Sequence, residues 1–164
     1  MALDDRNQAG ARVRPARRKR KAAQTKKEVA APRRPNPAPE LWSKAQEASR
    51  AAQLLTEAGD WNGAANRAYY AVFSGARAAL ASVRAALADS KGHGTIIRRF
   101  ERHLIEERSF DSSLGRSLFN RLSHARWIGD YAFVGVAEDA ARASVADADR
   151  FLAAVVPYLK KVKQ

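Results

Sequence analysis

The sequence predicts an all-α protein: an up-and-down bundle of four to five helices with a disordered basic arm at its N-terminus. From residue 40 onward, apolar residues recur with the 3.6-residue period of amphipathic helices. We find no apolar and polar alternation long enough to form a sheet. The segments between the periodic stretches are short, which favours antiparallel packing of consecutive helices. A chain of 164 residues therefore has room for one compact helical domain and a tail.

Residues 1–39 form the predicted arm. They include only three sizeable apolar side chains, too few to offset the entropy lost on ordering, so we expect them to be disordered. Twelve basic residues against three acidic ones give this arm a net charge of +9, out of +13 for the whole chain. The alternative is a solvated tail that only aids solubility. The densest basic run, which would gain electrostatically from a phosphate backbone, consists of Arg17, Arg18, Lys19, Arg20 and Lys21.

Residues 40–164 form the predicted helical domain, and its first two helices are the most clearly delimited. Helix one begins just after Pro39 and ends at Gly59, a residue suited to the left-handed conformation that follows a helix end. Asp60 is expected to cap helix two, which spans about residues 61–87. The apolar stripe of helix two is long and rich in alanine, which permits close helix approach. Its members are Ala65, Ala68, Tyr69, Val72, Phe73, Ala76, Leu80, Val83 and Leu87. Helix two is therefore the predicted centre of the bundle.

Three further helices complete the predicted domain. A glycine-punctuated loop at residues 89–94 leads into helix three, which begins at Thr95. After a turn that starts at Phe110, helix four begins at Leu114. The last helix begins at about Val136 and ends in lysines that complement its dipole. The residues of helix three predicted to face the core are Ile97, Phe100 and Leu104.

Composition excludes several classes of protein. The chain has no cysteine, which rules out disulfides and thiolate metal sites, and its three scattered histidines lack the spacing of a zinc site. No glycine-rich phosphate loop and no G-x-S-x-G elbow is present, so the common nucleotide-binding and hydrolase folds are excluded. We therefore expect no metal ion and no cofactor. No apolar run is long enough to span a membrane and no apolar signal region follows the N-terminus, so we expect a cytoplasmic location.

Four stretches of the helical domain form a recognisable series. In order they are AGDWNGAANRAYYAVFSGARAAL, KGHGTIIRRFERHLI, the leucine-spaced LGRSLFNRLSHAR, and the closing RWIGDY. Together, from residue 40 to about residue 159, they resemble the HEPN superfamily, and more closely the branch catalogued as UPF0332. That branch has an R-x-Y-Y-A-x-F helix, a K-x-H-x-G-like loop before F-x-x-x-[FL], and an R-x-x-[AG]-D-Y ending. No single one of these motifs is specific, so the resemblance depends on all four in register.

The resemblance implies a dimer-forming helical bundle, often encoded beside a nucleotidyltransferase. Many members of the superfamily are RNA-cutting toxins or defence effectors. Its active branches use an arginine followed, after a short spacer, by a histidine. Here Arg126 is followed by Asp130 and Tyr131, so an aspartate lies where the histidine is expected. The resemblance makes Arg126 and Asp130 the candidate catalytic residues.

Arg126 and Asp130 have two interpretations. In metal-free RNA cleavage, Arg126 would hold the developing negative charge while a base and an acid transfer protons. An aspartate with an ordinary pKa of about 3.9 is a weak base and a poor acid at neutral pH. His93 and His124 could replace the missing histidine. Alternatively Arg126 and Asp130, four residues apart on helix four, form an ion pair worth about 0.2–0.5 kcal/mol when exposed.

Three more residues are candidates for binding nucleic acid or a nucleotide: Arg67, His93 and Tyr131. Arg67 faces away from the apolar stripe of helix two, and if buried it would need a carboxylate, for which Asp130 is the predicted partner. His93 lies beside glycines in the predicted loop, where packing is its alternative role. Tyr131 is either a packed aromatic or, as in some nucleotidyltransferase-paired relatives, an acceptor for nucleotide transfer.

Two other patterns bear on function. Arg98 and His103 have the spacing of the family motif, but they lie on helix three in an arginine-rich stretch where such spacing arises by chance. Tyr70 and Ser74 lie on the second face of helix two, where a lone domain would expose only charge. We expect that face to take part in a homodimer.

The sequence supports two functions of different classes. The first is an RNA- or nucleotide-binding protein of the HEPN type, within a toxin-antitoxin or defence system, which would be a metal-independent endoribonuclease if active. The alternative is a noncatalytic module that dimerises and partners a nucleotidyltransferase through its apolar helices. In a third possibility the basic arm carries the function and the bundle only dimerises it.

Overall fold

The computed structural model describes residues 35–90 and 92–159, and all regular structure in those ranges is helical. This confirms the predicted all-α bundle. The candidate basic run at residues 17–21 and the lysines after residue 159 lie outside the described residues. No helix in the described part of the chain is long and apolar enough to cross a membrane. The helices are α1 (Ala38–Glu57), α2 (Trp61–Val83), α3 (His93–Phe100), α4 (Arg116–Tyr131) and α5 (Glu138–Leu159).

The junction of α1 and α2 confirms the sequence prediction closely. Helix α1 begins at Ala38, two residues before the expected boundary, because proline is accepted in the first turn of a helix. After α1 the chain reverses at Gly59, whose φ of +74° is the left-handed conformation that favours glycine. The Asp60 side chain then accepts a 2.8 Å hydrogen bond from the backbone N–H of Gly63 and caps α2.

Helix α2 is the centre of the bundle, as predicted, and it packs against α1, α4 and α5. The predicted apolar stripe is too narrow, because nearly every side of α2 is buried. Its small residues let the neighbouring helices approach on several sides. Buried residues of α2 outside the predicted stripe are Ala64, Ala71, Gly75, Ala78, Ala79 and Ala81.

Helix α2 ends at Val83, four residues earlier than predicted. Arg84 is extended, and residues 85–87 form one 3₁₀ turn that buries Leu87 in the core. Two arginines donate to backbone carbonyls of this turn: Arg77 to Ala88, with both distances 3.2 Å, and Arg99 to Leu87 at 2.9 Å. These guanidinium groups satisfy carbonyls that a continuing helix would have satisfied itself.

Helix α3 begins at His93, two residues before the predicted Thr95, and continues as a π-helical turn at Glu101–Glu106. Its core residue near the start is Ile96, while the predicted Ile97 is only partly buried. Phe100 and Leu104 are buried as predicted.

An aromatic cluster fills the end of the core beside α3. Phe110, predicted to start a turn, is 4% exposed and packs into this cluster. Its ring and that of Phe151 both lie within 5.4 Å of Phe100, centroid to centroid, and Phe119 lies 5.8 Å from Phe100. Edge-to-face contacts of this kind add to the hydrophobic gain of burial.

Helix α4 crosses α2 at a close contact between Gly129 and Asn62. A Cβ at Gly129 would lie 3.3 Å from both the Cα and the carbonyl oxygen of Asn62, so only glycine leaves this approach unstrained. The Asn62 side chain also accepts a 2.8 Å hydrogen bond from the backbone N–H of Val136. Helix α5 begins at Glu138, two residues after the predicted start at Val136. These contacts set the last turn of α4 against the first half of α2.

Candidate functional site

The guanidinium group of Arg126 lies against two tyrosines of α2. Its carbon is 5.5 Å from the ring centroid of Tyr69 and 5.4 Å from that of Tyr70. The Arg126 side chain is 21% exposed. Aromatic faces attract a cation without neutralising it, so Arg126 is held in place with its positive charge intact.

Asp130 lies one helical turn after Arg126 and completes a polar chain across α4 and α2. Its Oδ2 is 3.1 Å from Nε of Arg126. The Nε proton does not point at that oxygen, and Nε is buried with no hydrogen-bond partner among the described residues. The other oxygen, Oδ1, accepts a 2.8 Å hydrogen bond from Nδ2 of Asn66. Asp130 is thus an electrostatic neighbour of Arg126 that is fixed by Asn66.

The terminal nitrogens of Arg126 make no hydrogen bond to the residues that the structure describes. An arginine usually uses its planar donors on a carboxylate or a phosphate. In Arg126 the tyrosine rings and one carboxylate restrain the group while those outer donors stay unoccupied. This arrangement suits the binding of an anion.

His93, the first residue of α3, also contacts Tyr69. Its Nδ1 is 2.5 Å from the Tyr69 hydroxyl, and its ring lies 4.4 Å from that of Phe73. Burial, and then the charge of Arg126, lower the pKa of His93 below its ordinary value. Burial raises the pKa of Tyr69 to about 12, against the opposing effect of Arg126. At neutral pH the imidazole is therefore uncharged and the phenol keeps its proton.

The side chains of Tyr69, His93 and Arg126 together could serve as a proton-transfer site. The Tyr69 hydroxyl can donate to Nδ1 or accept from it. In the neutral ring, Nε2 carries the proton in the first case and carries none in the second. With Nδ1 protonated, Nε2 can accept a proton as a base, and the imidazolium that results can return that proton as an acid. Arg126 supplies a fixed positive charge beside the same tyrosine. A base, an acid and a cation are the groups that metal-free phosphodiester cleavage requires.

The structure brings together three of the candidates from the sequence: Arg126, Asp130 and His93. Arg67 lies at the edge of this cluster, where it donates 3.2 Å and 2.7 Å hydrogen bonds to Oδ1 of Asn66. The predicted pairing of Arg67 with Asp130 is wrong. Arg67 is exposed and needs no buried carboxylate, and Asn66 occupies the near oxygen of Asp130.

The remaining candidates lie apart from this cluster. Tyr131 is 66% exposed and points to solvent. His124 is also exposed, and its ring stacks parallel to Trp127 at 6.5 Å. His103 lies 3.1 Å from the Glu107 carboxylate, whereas Arg98 donates to Thr95, so these two residues do not form a motif.

Sequence reasoning missed Asn66 and the chemical role of Tyr69. Tyr69 was assigned to the apolar stripe, and its ring is indeed buried at 1% exposure. A buried tyrosine nevertheless needs a partner for its hydroxyl, and that requirement could have directed attention to a nearby histidine. No comparable signal marks Asn66, because its partner Asp130 lies on a different helix.

Comparison with known proteins agrees with this architecture. Residues 38–161 match the HEPN domain. The chain is also 28% identical over 118 residues to Putative toxin MJ0605 of Methanocaldococcus jannaschii, an alignment that covers 72% of this chain and 85% of that protein. The match spans all five helices and includes every residue of the Arg126 cluster. The chain belongs to the HEPN family.

Proposed function

We propose that this protein binds RNA at the Arg126 cluster and cleaves it without a metal ion, as the toxic component of a toxin-antitoxin or defence system. The observation that carries the proposal is the contact of His93 with the tyrosine that also holds Arg126. It supplies the histidine that α4 lacks at the position of Asp130. The toxin name of the archaeal relative supports the biological setting.

In the proposed reaction, Nε2 of His93 removes the proton from a ribose 2′-hydroxyl, and the resulting oxygen attacks the adjacent phosphorus. The outer nitrogens of Arg126 bind the nonbridging oxygens, where negative charge develops. The imidazolium then returns its proton to the departing 5′-oxygen. Asp130 takes no proton in this scheme. It holds Arg126 in position, which removes the objection that an aspartate is a weak base at pH 7.

The test is incubation of labelled RNA with the purified chain and with two variants, Arg126→Ala and His93→Gln, in the presence and absence of EDTA. We expect cleavage that EDTA does not stop and that both substitutions abolish. His103→Gln is the matched control, since it removes a histidine outside the cluster. Melting temperatures of all variants separate loss of function from loss of fold. Full activity in folded Arg126→Ala and His93→Gln proteins would refute the proposal.

We also propose that the protein is a homodimer, through a surface that differs from the one expected. Tyr70 and Ser74 line a polar groove, whereas four of the five large exposed apolar side chains in the described part of the chain lie at the end of α4 and just after it. Beside them lies an apolar cleft of about 550 Å³ between α4 and α5. A patch of this kind is typical of a protein interface. Its exposed members are Trp127, Tyr131, Phe133 and Val134.

Sedimentation decides the oligomeric state. We expect a dimer for the native chain and a monomer for Phe133→Asp, because a buried charge without a partner destabilises an interface. Leu54→Asp, which places the same charge at an exposed leucine on α1, should leave the dimer intact. A monomeric native chain would contradict the proposal.

The alternative function, a noncatalytic partner of a nucleotidyltransferase, is favoured by one observation. Tyr131 is 66% exposed and directly follows Asp130, so its hydroxyl is accessible to an incoming enzyme. Mass spectrometry of the chain after incubation with such an enzyme and a nucleoside triphosphate tests this role. A nucleotide adduct that is absent from Tyr131→Phe would support it, and an unmodified native chain would count against it.

A further inference from the structure

We propose that the groove between α1 and α2 is a second phosphate subsite, which binds the RNA phosphodiester next to the one held by Arg126. The inference rests on the proposed function and deepens it. It identifies the substrate as a single-stranded polynucleotide that occupies both sites, rather than a mononucleotide.

The groove has a volume of about 430 Å³ and lies between one face of each helix. On α1 its residues are spaced at three, four and seven positions, and on α2 at three and seven, which places each set on one face. Two alanines from α1 leave the groove open where larger side chains would fill it. Its lining consists of Lys44, Glu47, Ala48, Ala51, Arg67, Tyr70 and Ser74.

The charges of the groove favour an anion. Neither Lys44 nor Arg67 makes an ion pair with a carboxylate in the described part of the chain. The single carboxylate of the lining, Glu47, accepts a 2.9 Å hydrogen bond from Ser43. Ser74 adds a hydroxyl that can donate to a phosphate oxygen. Two cations without a carboxylate partner, beside one carboxylate, leave the groove with a net positive charge.

Tyr70 connects the groove to the Arg126 cluster. Its ring lies 5.2 Å from the guanidinium carbon of Arg67 and 5.4 Å from that of Arg126. Both guanidinium groups thus contact one ring, which joins the two positive charges into one continuous site. Two like charges held near each other gain most from a ligand that carries two negative charges at a matching separation. Consecutive phosphates of an RNA strand are such a ligand.

The positive charge and the aromatic side chain of the groove favour a single-stranded ligand. Single-stranded nucleic acids are bound by positive grooves with aromatic side chains alongside, and the salt dependence reports the number of phosphates neutralised. Here Tyr70 lines a groove that follows the α1 and α2 axes. The strand would therefore run along these helices on one side of the scissile phosphate.

The experiment compares two ligands that differ in phosphate number. Binding of the full-length chain is measured for a dinucleoside monophosphate and for a pentanucleotide, both with 2′-deoxyribose so that cleavage cannot occur. The variant is Lys44→Gln. The control is Arg50→Gln, another exposed cation of α1, which lines a different groove. The basic arm is present in every protein, so its contribution cancels in the comparison.

We expect Lys44→Gln to weaken pentanucleotide binding by about fivefold and to reduce the salt slope by about 0.7, the value for one phosphate of a single strand. Binding of the dinucleotide should not change, and Arg50→Gln should match the native chain with both ligands. Equal effects of Lys44→Gln and Arg50→Gln, or an equal loss for the short ligand, would overturn the subsite.

Arg126→Ala separates the two proposals. If it abolishes RNA cleavage while Lys44→Gln behaves like its control, the proposed function stands and the second subsite is refuted. If instead Arg126→Ala cleaves normally while Lys44→Gln still weakens pentanucleotide binding, the groove binds phosphate and the proposed active site is refuted.

Discussion

Tyr69 shows how one residue can serve the core and the site together. Its ring belongs to the buried face of α2, while its hydroxyl contacts His93 and the face of its ring lies against Arg126. The resemblance to the HEPN superfamily identified Arg126 and Asp130 as candidates, and His93 was a candidate as a glycine-flanked histidine that could replace the missing one. The sequence alone could not reveal the contact between them, since that contact depends on how α3 and α4 pack against α2.

Tyr69→Phe should keep the ring and remove only the hydroxyl. We expect a loss of about 1 kcal/mol in unfolding free energy, the usual net value of one hydrogen bond. RNA cleavage should fall much further than stability, because His93 loses the group that sets its tautomer. Urea unfolding and cleavage rates on the same protein measure both effects. A cleavage rate equal to that of the native chain would show that Tyr69 is only a packing residue.

The lowered pKa of His93 makes stability depend on pH. Below about pH 6.5, the ordinary histidine value, the unfolded chain binds a proton that the folded chain resists until its own lower pKa is reached. The contribution of His93 is therefore fully present above pH 6.5 and is lost as the pH falls through this window. His93→Gln lacks this titration. The stability difference between the native chain and His93→Gln should shrink from about pH 7 to pH 5, whereas parallel curves would contradict the pKa shift.

At the scale of elements, the sequence predicts the helix starts to within two residues, but it does not predict the end of α2. Asp60 and Gly59 are local signals, and both act where the sequence predicts. The end of α2 at Val83 has no local signal, because the alanines that follow favour a helix. The carbonyls that follow this end accept hydrogen bonds from Arg77, earlier on α2, and from Arg99, which lies on α3. Contacts of this kind are not evident from any short window of sequence.

The close crossing of α2 and α4 at Gly129 gives a prediction for the two helices. Gly129→Val should push α4 away from Asn62 and pull Asp130 from Asn66, to which it is joined by a 2.8 Å hydrogen bond. We expect a cost of about 1–3 kcal/mol from overpacking, together with weaker RNA binding. Ala146→Val, at an exposed site on α5, controls for the β-branched side chain. Equal melting temperatures for the two variants would show that the crossing tolerates a side chain.

At the scale of the whole molecule, charge is divided unevenly along the chain. Residues 1–34 carry the same twelve basic and three acidic residues as the predicted arm, so they hold +9 of the total +13. Truncation before Pro35 is preferable to removal of residues 1–39. It keeps Asn36, whose side chain accepts a 3.0 Å hydrogen bond from the first residue of α1, Ala38.

Removal of residues 1–34 should flatten the dependence of log K on log salt concentration for duplex DNA. Each phosphate neutralised contributes about −0.9 to that slope. Binding isotherms at several salt concentrations, for the full and truncated chains, measure the difference. An unchanged slope would mean that the helical domain carries the nonspecific affinity and that the basic run only aids solubility.

The placement of His93 on α3 and Arg126 on α4 has a consequence for synthesis of the protein. A relative that carries both residues on one helix holds its motif as soon as that helix forms. In this chain the two residues meet only on the rings of α2, after α4 has left the ribosome and packed. A nascent chain whose α4 has not yet been synthesised and packed would therefore lack the proposed activity.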